Sequence, residues 1–199
     1  MPVGEKRCVC VTGFGPFKGH LVNASWVAVQ ELAKLGLSDD VELIIYELPV
    51  VYEDVKKIIP GLWEKHKPVL MVHVGVSGIA DEITLEQQAH NDGYNRCDVR
   101  GVTPITQTCV DGSCHDVIVS KINMAQVCKA VNEANLKVTT VVSHDPGRYL
   151  CDFSYYISLH QNRDCSAFIH VPPLGSPYSG AELALGLQAS IRAMLTQVQ

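Results

Sequence analysis

Val138-Thr139-Thr140-Val141-Val142, then Gly147-Arg148-Tyr149-Leu150-Cys151-Asp152-Phe153, then Ala167-Phe168-Ile169-His170-Val171, is the stretch that decides the fold. Its outer runs are β-branched or apolar and of strand length, and the residues between them carry an apolar helical pattern over 151–162. Strand, helix and strand in that order predict an α/β unit. The same rhythm extends outward. Strands near 7–12, 41–48 and 69–75 alternate with helices near 24–35 and 52–66, and later a helix near 120–134, strands near 137–143 and 165–171 and a last helix near 180–197 continue the pattern. The expectation is one α/β domain over residues 1–199, a mainly parallel twisted sheet with helices on both faces. Its best-marked helix is the last: Ser179-Gly180-Ala181-Glu182 has capping-box spacing, and Leu183, Leu187, Ile191 and Leu195 form one apolar stripe.

Composition narrows the function classes. The 199 residues are 47% hydrophobic, enough for a substantial core without disulfides. Net charge is −5 and no basic stripe is present, which argues against a nucleic-acid partner. No apolar run reaches the ~20 residues of a spanning helix, and the first residues lack a signal peptide's apolar stretch. A cytoplasmic protein, monomeric or weakly self-associating and without membrane partners, is expected. The eight cysteines lack the spacing of a disulfide framework, with Cys8 and Cys10 on one face of one strand, so reduced thiols are expected. Cys97, Cys109, Cys114 and His115 hint at zinc, but without a C-x-x-C pair the expectation is no metal and no cofactor.

Residues 87–118 break the rhythm and read as a long loop with a short hairpin from Thr103 to Val110, of the kind that covers sites. Chemistry is expected where the loops after the strands gather at the carboxyl edge of the sheet. Cys151 falls in the first turn of a helix, where unpaired N–H groups and the helix dipole stabilise a thiolate. His170 ends the next strand and is expected to return to the same edge. A thiol attacking an amide needs a base, a group that orients the base, and donors for the oxyanion. Cys151 and His170 supply the first two. Glu82 and Glu86 share a face of a short strand, and spacing does not choose between them. The Cys151 N–H is the natural oxyanion donor, and His144 is a rival base. His73 reads as a satisfied core residue, and His20, His66, His115 and His160 as solvated. Gly75-Val76-Ser77-Gly78-Ile79 lacks the last glycine of a serine-hydrolase elbow, and no H-E-x-x-H motif or phosphate loop is present. Gly13-Phe14-Gly15-Pro16-Phe17-Lys18 is a poor dinucleotide fingerprint, with Lys18 at the third glycine.

At these residues the chain resembles the pyroglutamyl-peptidase I family of cytosolic cysteine peptidases. The similarity spans nearly the whole chain through Thr12-Gly13-Phe14-Gly15-Pro16-Phe17, Val22-Asn23-Ala24-Ser25-Trp26, His73-Val74-Gly75-Val76-Ser77-Gly78, Thr84-Leu85-Glu86 with His90-Asn91, Gly147 to Asp152, and Phe168-Ile169-His170-Val171-Pro172-Pro173. The resemblance implies removal of N-terminal pyroglutamate from peptides, with Cys151 as nucleophile, His170 as base and Glu86 as orienter. It also implies a pocket in which Phe14 and Phe17 flank the lactam ring, with Asn23, Val76, Tyr149 and Leu150 around it. One motif departs: the family usually has Asp-Ala-Gly where this chain has Asp145-Pro146-Gly147. Two other readings remain open, a silent relative that binds pyroglutamyl peptides without cleaving them and a thiol enzyme acting on another amide, such as a glutaminase.

Overall fold

Alternation along the central strands sorts their side chains onto two faces of the sheet. A computed structural model describes residues 6–17 and 21–198. In it β1 (Arg7–Phe14), β3 (Leu70–Val76) and β8 (Ser166–Val171) send Val9, Val11, Val72, Val74, Ala167 and Ile169 to one face. That face is covered by α1 (Ala24–Leu35), α3 (Met124–Glu133) and α5 (Gly180–Leu195). The opposite face, holding Phe14 and Phe168, is covered by α2 (Tyr52–His66) and α4 (Leu150–Asn162). The α5 stripe is core as expected: Leu183, Leu187 and Ile191 are fully buried, each contributing about 1.5–3 kcal/mol of burial. Ser179 and Glu182 form the expected capping box. Among the described residues no helix is long and apolar enough to cross a membrane.

With β2 (Val41–Leu48), β4 (Ile83–Glu86) and β7 (Thr140–Ser143), the sheet has six strands in the order β2-β1-β3-β8-β4-β7. It is mainly parallel, but the β4 and β7 pair runs antiparallel to β8. The expectation that the strand near 137–143 arrives at the same edge as His170 therefore fails. β7 points the other way, ending at Ser143 beside Glu86, and residues 144–149 carry the chain to the start of α4. Strand spacing in sequence does not reveal direction, because both directions bury the same face.

The middle segment also differs. No strand forms between Thr103 and Val110. Pro104 cannot donate to a ladder, and the Thr106 and Thr108 hydroxyls bind Asp111 at 2.6 and 2.7 Å. The pairing lies outside it, between β5 (Gln88–His90) and β6 (Val117–Val119), which close the base of the loop. The helix expected from 120 starts at Met124, because Asn123 caps it by accepting from Gln126 N.

At the end of β1 the backbone of α1 presses on the strand. A Cβ on Gly13 would lie 2.9 Å from Trp26 Cα and 3.0 Å from Ser25 O. This approach lets Ser25 Oγ accept from Phe14 N and Asn23 Nδ2 donate to Gly15 O, both at 3.0 Å, which fixes the loop after β1. Gly13→Ala is expected to cost about 1–3 kcal/mol, because backbone rather than a mobile side-chain end must yield. Thermal unfolding should then have its midpoint lowered by several degrees; an unchanged midpoint would contradict the close packing.

Candidate active site

Helices α2 and α4 differ from the other three at the first turn. Asn23, Asn123 and Ser179 cap α1, α3 and α5 with their side chains, whereas Tyr149, in the cap position of α4, makes no such bond. Among the described residues the Cys151 N–H has no hydrogen-bond partner, and it sits at the positive end of the helix dipole. Cys151 is half-buried, and its thiol lies over β3: a Cβ on Gly75 would sit 2.7 Å from Sγ and 2.8 Å from the Phe168 ring. Only a residue without a side chain leaves room for the thiol there.

The reversed strand β4 supplies the acid. Thr84 pairs with His170 and Glu86 with Phe168, so Glu86 is the diagonal neighbour of His170 on the α4 side of the sheet. His170 Nδ1 lies 2.8 Å from Glu86 Oε1, and the two residues are only 7% and 2% exposed. A carboxylate partner fixes the proton on Nδ1 and turns Nε2 toward the thiol. Burial acts to lower the imidazole's pKa, but the charge of Cys151, a hydrogen bond to it and then Glu86 raise it to about 10. Glu86 Oε2 is buried without a hydrogen-bond partner among the described residues, so His170 carries most of the compensation for its desolvation. Glu82 lies before β4 and outside the cleft, whereas the β4–β8 register sets Glu86 beside His170.

Behind Cys151 is a polar cluster that sequence reading does not find. Asp152 is fully buried and accepts from His90 N at 3.0 Å and Tyr94 Oη at 3.2 Å, with Arg148 at 3.5 Å. Burial raises its pKa to about 8 despite these donors. Arg148 also binds Asp145 at 2.6 Å. The acid next to Cys151 is visible in the sequence, but its partners lie in the irregular loop, where no periodicity signals a contact.

One cleft of about 1100 Å³ collects every expected site residue. Cys151, His170 and Glu86 lie on it together with Phe14, Phe17 and Asn23, and Val76, Tyr149 and Leu150 complete that set. Asn23 also serves the fold, since its Oδ1 accepts from Ser25 N at 3.0 Å. His144 is exposed and does not line the cleft. His73 is a satisfied core residue, 2.6 Å from both Thr12 Oγ1 and Ser158 Oγ, with its pKa lowered to about 3 by burial. His115 and His160 are exposed, His66 is half-buried, and His20 lies outside the described residues. Cys109 is buried, its thiol bonding Phe153 O, while Cys97 and Cys114 are exposed. Among the described residues no group of three or more His, Cys, Asp or Glu is placed to hold a metal ion.

A model of the pyroglutamyl peptidase family matches residues 7–195. The chain belongs to that family. It is 54% identical to human pyroglutamyl-peptidase 1 over 190 residues, covering 96% of this chain and 90% of that protein, and the mouse protein matches equally. The fold agrees with that of a mutant pyrrolidone carboxyl peptidase from the hyperthermophile Pyrococcus furiosus at a TM-score of 0.86 and 25% identity, covering 95% of this chain and 98% of that one. The turn at Asp145-Pro146-Gly147, where the sequence departs from the pattern expected from the resemblance, accommodates the proline. Its hydrogen bonds come from the flanking residues, Asp145 N to Ser143 Oγ at 3.0 Å and Gly147 N to Asp145 Oδ1 at 3.1 Å. Gly75→Ala should leave the circular dichroism spectrum intact yet lower kcat by about 100-fold, as expected for a displaced reacting atom; unimpaired turnover would show that the thiol does not need this space.

Proposed function

We propose that Cys151, His170 and Glu86 are the residues with which this member of a cysteine peptidase family removes pyroglutamate from peptide N-termini. The observation that carries the assignment is the buried His170 side chain, which meets the Cys151 thiol on one side and Glu86 on the other. Because both partners raise its pKa, the imidazole takes and holds the proton that the Cys151 thiol gives up. The thiolate attacks the pyroglutamyl carbonyl carbon, and the oxyanion forms beside the unpaired Cys151 N–H. His170 gives its proton to the departing amine. It then takes a proton from water, which attacks the thioester and releases pyroglutamate.

The cleft suits a lactam better than a free amine. Its two carboxylates near the nucleophile are engaged, Glu86 by His170 and Asp145 by Arg148, so none waits for a substrate ammonium. Phe14 and Phe17 offer apolar walls to the ring. A linear Gln or Glu terminus would bring an unpaired charge between them. The silent-relative reading rested on Pro146, and the intact turn around that residue gives it no support. Eight free thiols support a reducing, cytoplasmic setting.

Purified protein is expected to hydrolyse a fluorogenic pyroglutamyl amide but neither the prolyl nor the alanyl analogue, and Cys151→Ala to abolish turnover; retained activity in that variant would remove Cys151 from the mechanism. Glu86→Gln should lower kcat by about 100- to 10,000-fold. Because the Glu86 charge raises the His170 pKa, its loss should also move the alkaline limb of the kcat/KM profile to lower pH. A limb that stays in place or moves upward would contradict the role given to Glu86.

A further inference from the structure

The cleft is larger than a pyroglutamyl ring requires. Its volume of about 1100 Å³ is that of sites for drug-sized ligands, so the outer part is available to the peptide that leaves. One wall of this part is the loop after β5, which contributes Asn95 and Arg96. The Arg96 guanidinium carbon is 4.4 Å from the centroid of the Tyr149 ring, two residues before Cys151. Tyr149 is itself fixed, its hydroxyl donating to Cys97 O at 3.1 Å and its ring meeting Tyr52 edge-on. Tyr52 Oη in turn donates to Arg96 O at 3.1 Å. Arg96 is thus held at both its backbone and its head group.

Its charge is not neutralised. Arg148, the other arginine on the cleft, is engaged by Asp145, Asp152 and Gly147 O. The acid nearest Arg96 in sequence, Asp98, faces inward and accepts from the N–H groups of Tyr52, Arg100 and Val102. Among the described residues Arg96 has no ion pair and no side-chain hydrogen bond, only the aromatic face. Stacking orders a guanidinium while leaving its edge donors free, which is the geometry that receives a carboxylate.

We propose that Arg96 is a specificity-determining residue that reads negative charge on the leaving peptide, favouring substrates with a carboxylate on the residue after pyroglutamate. The proposal rests on the peptidase reading above and concerns the part of the cleft that the lactam leaves open. It is tested with two peptides that differ in charge but hardly in shape, pyroglutamyl-glutamyl amide and pyroglutamyl-glutaminyl amide. The unsubstituted protein is expected to prefer the glutamyl peptide by about threefold to tenfold in kcat/KM, mostly through KM, with the preference shrinking as salt is added. Arg96→Gln should erase the preference and Arg96→Lys should keep part of it. The preference is read within each protein, so a general loss of activity in a variant cancels. A preference that is absent in the unsubstituted protein, or undiminished in Arg96→Gln, overturns the proposal. Turnover of the glutaminyl peptide by the unsubstituted protein reports separately on the peptidase reading, and failure to cleave either peptide overturns both.

Discussion

The hydrogen bond from His170 Nδ1 to Glu86 Oε1, buried between two strands, sets the conditions that the surrounding structure meets. A carboxylate taken out of water this completely is tolerated only beside a partner, and losing one member of such a pair costs about 3–5 kcal/mol. The partner must therefore be in place before any substrate arrives. The sheet provides it by running β4 against β8, which sets Glu86 diagonally across from His170 rather than at a distant strand end. Gly75 leaves the space in which the thiol meets the imidazole, and Phe168 packs beneath both.

The same economy of placement shapes the cleft. At one side the close approach of α1 to Gly13 lets Asn23 and Ser25 hold the loop that carries Phe14 and Phe17. On the other side β5 and the segment after it are tied to the first turn of α4 by aromatic and polar contacts, through Tyr149 to Cys97 and through Asp152 to His90 and Tyr94. Cys151, the Phe14 and Phe17 side of the cleft and its outer wall thus come from separate parts of the chain but share anchors within a few residues of Cys151. The buried Asp152, one residue after the thiol, accepts hydrogen bonds from His90 N in β5 and from Tyr94 Oη in the segment after it.

Much of this is legible in the sequence, where a local rule applies. The α5 stripe and its capping box follow from spacing alone, and the position of Cys151 in the first turn of a helix follows from the strand and helix on either side of it. Pattern does not separate Glu86 from Glu82, since both lie on one face; the family resemblance points to Glu86, and the β4–β8 register then places it beside His170. The direction of the run near 137–143 is hidden because alternation is blind to it. The hairpin expected at 103–110 gives way to threonine hydroxyls bound to Asp111, a local competition that strand propensity does not weigh. Asp152 and Arg96 escape sequence reading for a common reason. Each owes its setting to contacts across the irregular segment, and no periodicity records those.

The measurement that tests the account most directly is peptide mapping after reaction with a pyroglutamyl chloromethyl ketone, an alkylating analogue of the substrate. The arrangement of Cys151, His170 and Glu86 predicts a single modified residue, Cys151, with the other seven thiols untouched and with protection by excess pyroglutamyl peptide. Inactivation with the label on any other residue, or with Cys151 unmodified, would contradict it.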